Sequence, residues 1–250
     1  MNKYFVVSDV HSAYTPLVDA LDNAGFDFYD RDHKLIICGD LFDRMSETKQ
    51  VYNFIKDMAD KGRLIYIRGN HEDLLEQCVK EIRMGDIPSH HHFSNGTVKT
   101  ICQFCGESEW IVYDPDWRDK ICKIMKPILD FINTNCVDYY EVGDYIFTHG
   151  YIPCFYHVNN FRIDADQSDW DRSRWLNGMQ MWENPRFRIK GKTIVVGHWH
   201  SSWGHARIHH TCSEWGDDAI FEPFIDEGII AIDACTAHTG KVNCIVVEEK

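Results

Sequence analysis

Positive charge is what this chain is short of: 26 Lys and Arg stand against 39 Asp and Glu, a formal net charge of −13 with His neutral. That balance argues against non-specific binding of nucleic acid or of an anionic membrane, both of which run on clustered cations. Long apolar runs are also missing, and no stretch approaches the roughly 20 residues needed to cross a bilayer as a helix. The opening residues, MNKYFVVSDVH, enter a strand-like stretch at once, so no signal peptide is expected. No linker, internal repeat or low-complexity segment divides the 250 residues. The expectation is one domain, residues 1–250, interrupted by insertions at about 86–142 and 151–190. Disorder is excluded by a composition that is 44% hydrophobic and 13% aromatic.

What is plentiful is cysteine and histidine. The 10 Cys follow no export signal, and Cys38, Cys154, Cys235 and Cys244 sit in apolar segments. They read as small hydrophobes in a reducing compartment, and a cytoplasmic location is expected. Cys102-Gln-Phe-Cys105 has the spacing of a metal or redox pair, but no second pair lies at zinc-finger distance. The 14 His are many for an ordinary acidic protein, and some of them should bind something.

Short runs rich in β-branched and aromatic residues predict strands at Tyr4–Val7, Leu35–Cys38, Leu64–Ile67, Tyr145–Phe147, Thr193–Val196, Ile229–Ile232 and Val242–Val247. Several are continuously apolar, as strands buried on both faces are. Helices are expected from Thr15-Pro16 to Gly25, from Ser46-Glu47 to Gly62, and from His71 to Gly85. Strand and helix alternate in the rhythm of an α/β fold with right-handed crossovers. The 86–142 stretch, with a helix from about Arg118 to Ile132, reads as loops and helices set beside the sheet.

Polar clusters follow five of the strands: Ser8-Asp9-Val10-His11, Gly39-Asp40-Leu41-Phe42-Asp43-Arg44, Arg68-Gly69-Asn70-His71-Glu72, Thr148-His149-Gly150 and Gly197-His198-Trp199-His200. Ligands in open α/β sheets bind beyond the carboxyl ends of strands, so these clusters should converge in one crevice. Asp, Asn and His together suit borderline divalent cations such as Mn, Fe or Zn rather than Ca or Mg. Two cations roughly 3.5–4 Å apart can activate water and clamp a phosphoryl group, with one carboxylate between them. Asp40 is the natural candidate for that bridge. Arg44 and Arg68 could grip phosphate oxygens with their forks. His71, beside Asp43, could protonate a leaving oxygen.

The ordered series DxH, GDxxDR, RGNHE, THG and GHxH resembles the calcineurin-like metallophosphoesterase superfamily. GDLFDR and RGNHE are most similar to its phosphoprotein phosphatase branch, which includes bacterial serine/threonine phosphatases and the bacteriophage lambda phosphatase. Met45 stands where that branch has Gly, and the first motif reads SDVHS where the branch has GDxHG. The resemblance implies a four-layer α/β/β/α sandwich with a dimetal centre at its edge. Asp9, His11 and His200 would then bind one metal, Asn70, His149 and His198 the other, and Asp40 both. His71 would be the general acid, oriented by Asp43, and Arg44 and Arg68 would hold phosphate. Mn is the expected metal, with Fe, Zn or Ni as substitutes.

The implied reaction is in-line attack by a bridging hydroxide on a phosphoserine or phosphothreonine protein or a small phosphate ester. The alternative substrate is a symmetrically cleaved dinucleoside tetraphosphate. No nucleic-acid or membrane partner is expected. Outside the motifs, His90-His91-His92 reads as a solvated loop, with adventitious metal binding as the alternative, and His205, His209 and His210 as surface or rim residues. Trp170, Trp175 and Trp182 either pack the second insertion or line a groove. Arg172 and Arg174 are candidates for a further phosphate contact.

Overall fold

The strand pattern resolves into two sheets in the computed structural model, which describes residues 2–249. The first half of the chain runs β1 (Lys3–Val7), α1 (Tyr14–Asn23), β2 (His33–Cys38), α2 (Thr48–Asp60), β3 (Leu64–Ile67) and α3 (Asn70–Met84). It continues through α4 (His90–Ser94), α5 (Thr97–Cys105), α6 (Arg118–Asn135) and β4 (Cys136–Val137). The second half comprises β5 (Tyr140–Val142), β6 (Tyr145–Phe147), α7 (Gln167–Ser173), α8 (Gly178–Glu183) and β7 (Thr193–Val196). After these come α9 (Ser202–Arg207), β8 (Phe224–Asp226), β9 (Ile229–Ala231), α10 (Thr236–Thr239) and β10 (Ile245–Glu248). Strand order is β10-β1-β2-β3-β4 in one sheet and β5-β6-β7-β9-β8 in the other. β1, β2 and β3 are parallel, as are β6, β7 and β9, and antiparallel β10, β5 and β8 lie at edges.

Side-chain alternation along the strands makes the layers. Phe5, Val7, Leu35 and Ile37 face a helical layer that supplies Leu17, Val51, Ile55, Leu75 and Ile128. Their neighbours Tyr4, Val6, Ile36 and Cys38 face the other way and meet Phe147, Val195 and Ile232 of the second sheet. That sheet's opposite face, with Ile146, Ile194 and Ile229, packs on Trp170, Met179 and Trp182. Two apolar faces per sheet explain why the strands are continuously apolar. The result is an α/β/β/α sandwich.

The structure moves several expected boundaries. Helix α1 starts at Tyr14, not Thr15, with Ala13 as its N-cap, and the Thr15 hydroxyl donates to the Glu47 carboxylate at 2.6 Å. The last strand begins at Ile245, not Val242. Helices α5 and α6 of the 86–142 stretch put Val98, Ile101, Ile121, Met125 and Ile132 into the first helical layer, so they are part of the core. All 10 cysteines carry free thiols, and burial pushes those of Cys102 and Cys105 up to about 12 and about 11. Among the described residues no helix is long and apolar enough to cross a membrane.

Candidate metal centre

Each motif leaves the carboxyl end of a parallel strand, three from the first sheet and two from the second, so the crevice is built by both sheets together. Sharp exits are required, because the side chains must turn back over the strand ends. Asp9, His11, Ser12, Asp40, Asp43, Arg44 and His198 all adopt left-handed backbone, with φ from 50 to 77°. Each such non-glycine residue costs on the order of 1 kcal/mol, and strain of this kind gathers where a site dictates geometry. Glu72 holds the turns in place. Its buried carboxylate accepts from the backbone N–H groups of Asp40 (3.1 Å), Leu41 (2.9 Å) and Gly69 (2.7 Å), and from the Tyr66 hydroxyl (2.8 Å).

Asp40 lies at the middle. One group of candidate ligand atoms joins it to His11 and His71, a second joins it to His149 and His198, and within each group the atoms lie within 4.8 Å of one another. His149 Nε2 is 3.2 Å from Asp40 Oδ1 and 2.9 Å from Asn70 Oδ1. His11 Nε2 is 4.0 Å from both the Asp9 and the Asp40 carboxylates. Asp9 is tied across the sheets, since its Oδ2 accepts the His198 N–H at 2.9 Å and its carbonyl accepts the Thr236 hydroxyl at 2.7 Å.

The far sides of the imidazoles suit a metal. A backbone carbonyl can only accept, so His11 Nδ1–H donates to Phe42 O (3.0 Å) and His149 Nδ1–H to Cys38 O (2.7 Å). His198 bonds the Trp175 backbone. Each ring is thereby locked with its other nitrogen facing the carboxylates, as metal-binding His usually is. The electrostatics agree. Burial and the neighbouring Asp233 carboxylate push Asp9 well above the usual range, and burial lifts Asp233 to about 6 with the field of Asp40 adding. Burial, aided by repulsion from His71 and His149 respectively, holds His11 and His198 down to about 3, as neutral donors. Burial would lower His149 too, but the Asp40 carboxylate overrides it and raises it to about 10. Three carboxylates clustered away from water beside the neutral imidazoles of His11 and His198, with the His149 ring held against Asp40, make a donor set that fits divalent cations.

His71 has a different setting. Its Nδ1 is 2.7 Å from Asp43 Oδ2, and its Nε2 is 3.4 Å from Arg44 Nη2 and 3.8 Å from Asp40 Oδ2. Burial alone would lower its pKa, but the Asp40 field and the Asp43 bond outweigh that and raise it. Asp43 is in turn gripped by the hydroxyls of Thr97 (2.8 Å) and Thr100 (2.7 Å). Nothing in the sequence pattern marks these threonines as support for the motif.

Two expected site residues are engaged by other partners. The Arg68 guanidinium is taken up by Asp73 (2.6 Å), Glu76 (2.6 Å) and Asn133 (2.7 Å) and lines a separate cleft with Arg174. Carboxylates one and two turns into α3 outcompete a distant phosphate for it. His200 lies on the rim, with Nδ1 on the Ser202 hydroxyl (2.8 Å), Nε2 3.5 Å from Glu214 and its ring against Trp215, and it joins neither ligand group. Arg172 stacks on Phe155, and buried Arg174 pairs with Asp73, Asp138 and Asp171, so neither is directed at the crevice. The His triplet is helix α4 rather than a loop, and His92 is wholly buried. Asp233 is the acid that sequence reading missed. It follows β9 as the other clusters follow their strands, but no His or Asn accompanies it.

The crevice is a cleft of about 300 Å³ whose lining includes His11, Asp40, Arg44, Asn70, His71, Asn95 and His198. Its wall tolerates no extra carbon at Gly69, where a Cβ would land on the Asp40 carboxylate and its backbone N–H. Gly69→Ala is therefore expected to cost about 1–3 kcal/mol of stability and to weaken metal binding, measured by thermal melting and metal titration. An alanine variant with unchanged melting and affinity would rule out this packing.

The sequence profile described as calcineurin-like phosphoesterase matches residues 3–241. Two curated relatives, the bis(5'-nucleosyl)-tetraphosphatases PrpE [asymmetrical] of Bacillus velezensis and Bacillus subtilis, are 29% and 26% identical over 83 residues. Those matches cover 31% of this chain and only 33% and 34% of the relatives' own length. A solved structure described as a candidate diadenosine tetraphosphatase superposes with a TM-score of 0.51 at 13% identity, covering 98% of this chain and 89% of that one, a likeness of fold alone. With the profile spanning nearly the whole sandwich and its crevice, the chain belongs to the calcineurin-like phosphoesterase family.

Proposed function

We propose that the chain is a metal-dependent hydrolase of a nucleoside polyphosphate, with a dinucleoside tetraphosphate as the favoured substrate. The observation that carries this reading is the rim of the cleft. Trp175, Trp199 and Trp215 all line it and stay 51%, 37% and 57% exposed. Indole faces left in water beside a phosphate-type crevice suit stacking by purine bases. Their neighbours Trp170 and Trp182 are core residues and take no part. The names of the two Bacillus relatives point the same way.

Asp9 and His11 would hold one divalent cation and Asn70, His149 and His198 another, with Asp40 shared; Mn fits, as Fe, Zn or Ni would. When bound, the pair supplies Lewis-acid polarisation of phosphoryl oxygens and a water nucleophile usable at neutral pH. Arg44 contributes its guanidinium to the substrate oxygens at the cleft wall. His71, held by Asp43 through Nδ1, keeps a proton at Nε2 for the departing oxygen.

A second reading, a serine/threonine phosphoprotein phosphatase, is favoured by that same His71–Asp43 pair. An alkoxide leaving group needs a proton donor, whereas a nucleotide leaving group hardly does. The test gives Mn-loaded protein diadenosine tetraphosphate and phosphoserine or phosphothreonine peptides side by side. Release of ATP plus AMP, or of two ADP, with peptides turned over far more slowly supports the first reading; the asymmetrical pair is expected from the relatives. The reverse preference overturns it in favour of the second. Trp175→Ala and Trp215→Ala are each expected to raise KM for diadenosine tetraphosphate roughly tenfold, as loss of one stacked base would. Turnover of p-nitrophenyl phosphate, which is too small to reach the rim, should hardly change.

A further inference from the structure

The centre is not the molecule's sole cluster of ligating side chains. Glu81, near the end of α3, faces His91 and His92 of α4, and one ligand atom from each lies within 4.8 Å of the others. His92 is 0% exposed, and both of its ring nitrogens lack a hydrogen-bond partner. A buried imidazole with neither nitrogen satisfied carries an uncompensated desolvation penalty unless something else engages it. Its Nε2 stands 3.4 Å from Glu81 Oε1 without making a hydrogen bond. In a tetrahedral site with metal–ligand bonds of about 2.0–2.2 Å, adjacent ligand atoms are about 3.3–3.6 Å apart, so this separation suits two ligands on one ion. The His91 and His92 rings lie 4.0 Å apart between centroids, both at the same corner. Ser89 at the N-cap of α4 donates its N–H (2.8 Å) and hydroxyl (3.0 Å) to Glu81 Oε2, which orients the carboxylate as an outer partner orients a ligand.

We infer that Glu81, His91 and His92 form a cation site separate from the catalytic crevice, taking one divalent ion of the zinc class with an open fourth position. Two imidazoles and one carboxylate select zinc-like ions over calcium or magnesium.

The site would clasp α3 to α4. Its purpose is readable from what comes next in the chain. Asn95 lines the catalytic cleft, Gly96 packs against the Arg44 backbone, and Thr97 grips Asp43. A pinned α4 fixes the start of that segment.

Zinc stoichiometry by equilibrium dialysis and elemental analysis, on the full chain, tests the inference. His91→Ala and Glu81→Gln are each expected to bind one equivalent fewer than the parent and to lose the visible absorption of one tetrahedral Co²⁺. These side chains are partly exposed, so the variants should fold even if His92→Ala does not. Because the readout is a difference of one equivalent, it holds whatever the main centre binds. Failure of the main centre would instead appear as a parent protein with a single equivalent. Equal stoichiometry and equal Co²⁺ spectra in parent and variants would overturn the third site.

Discussion

Asp40→Asn is expected to cut turnover by about 10³-fold, whichever phosphate substrate is used, and to remove at least one equivalent of bound metal. Asp40 is shared by both groups of ligand atoms, and it alone faces His11, His71 and His149. Burial would raise the pKa of its carboxylate, but His149 and His71 hold it well below the usual range. An amide keeps the shape and can still accept the His71 N–H, a 3.0 Å bond in the parent. What it cannot supply is negative charge between two cations. Losing several kcal/mol of transition-state stabilisation corresponds to the factor quoted, at about 1.4 kcal/mol per tenfold. Metal analysis and kinetics on the same sample check it. A variant with full metal content and parental kcat would remove Asp40 from the proposed bridge.

His71→Asn should separate proton donation from metal binding. The side chain touches Asp43 through one nitrogen and presents the other toward Asp40 and Arg44, so it is placed for either role. As a proton donor it is worth about 10²–10⁴-fold on substrates with poor leaving groups. The expected result is such a loss on alkyl phosphates, a far smaller loss on p-nitrophenyl phosphate, and unchanged metal content. An equal loss on both substrates, accompanied by loss of metal, would make His71 a ligand and leave the leaving group without its acid. Measuring kcat against leaving-group pKa for both proteins gives the answer directly.

The polar clusters were legible because chemistry of this kind demands them at fixed places. A ligand must follow a strand, and the run before it must be apolar enough to be buried on two faces, as in Ile36-Ile37-Cys38 before Gly39-Asp40. The α/β/β/α layering follows from the same runs. What escaped was everything set by neighbours distant in sequence. Arg68 looks like a phosphate ligand until Asp73, Glu76 and Asn133 are seen around it, and His200 until Ser202 and Glu214 claim its two nitrogens. Thr97 and Thr100 support Asp43 across more than fifty residues, and no local pattern announces that. His92 shows the limit most plainly: three consecutive His read as solvated, yet packing of α4 against the first helical layer buries the third.

The apolar layer between the two sheets has a thermodynamic role besides filling space. Asp9, His11, Asp40 and Asn70 are carried by the first sheet, His149 and His198 by the second, and Val6, Ile36, Phe147 and Val195 form the seam that brings them together. Ion affinity and seam cohesion are thus two sides of one coupling free energy, and coupling of this kind is reciprocal. Thinning the seam, as in Val195→Ala, should loosen ion binding without touching a ligand. Bound ions should in turn slow hydrogen exchange in strands that lie well behind them.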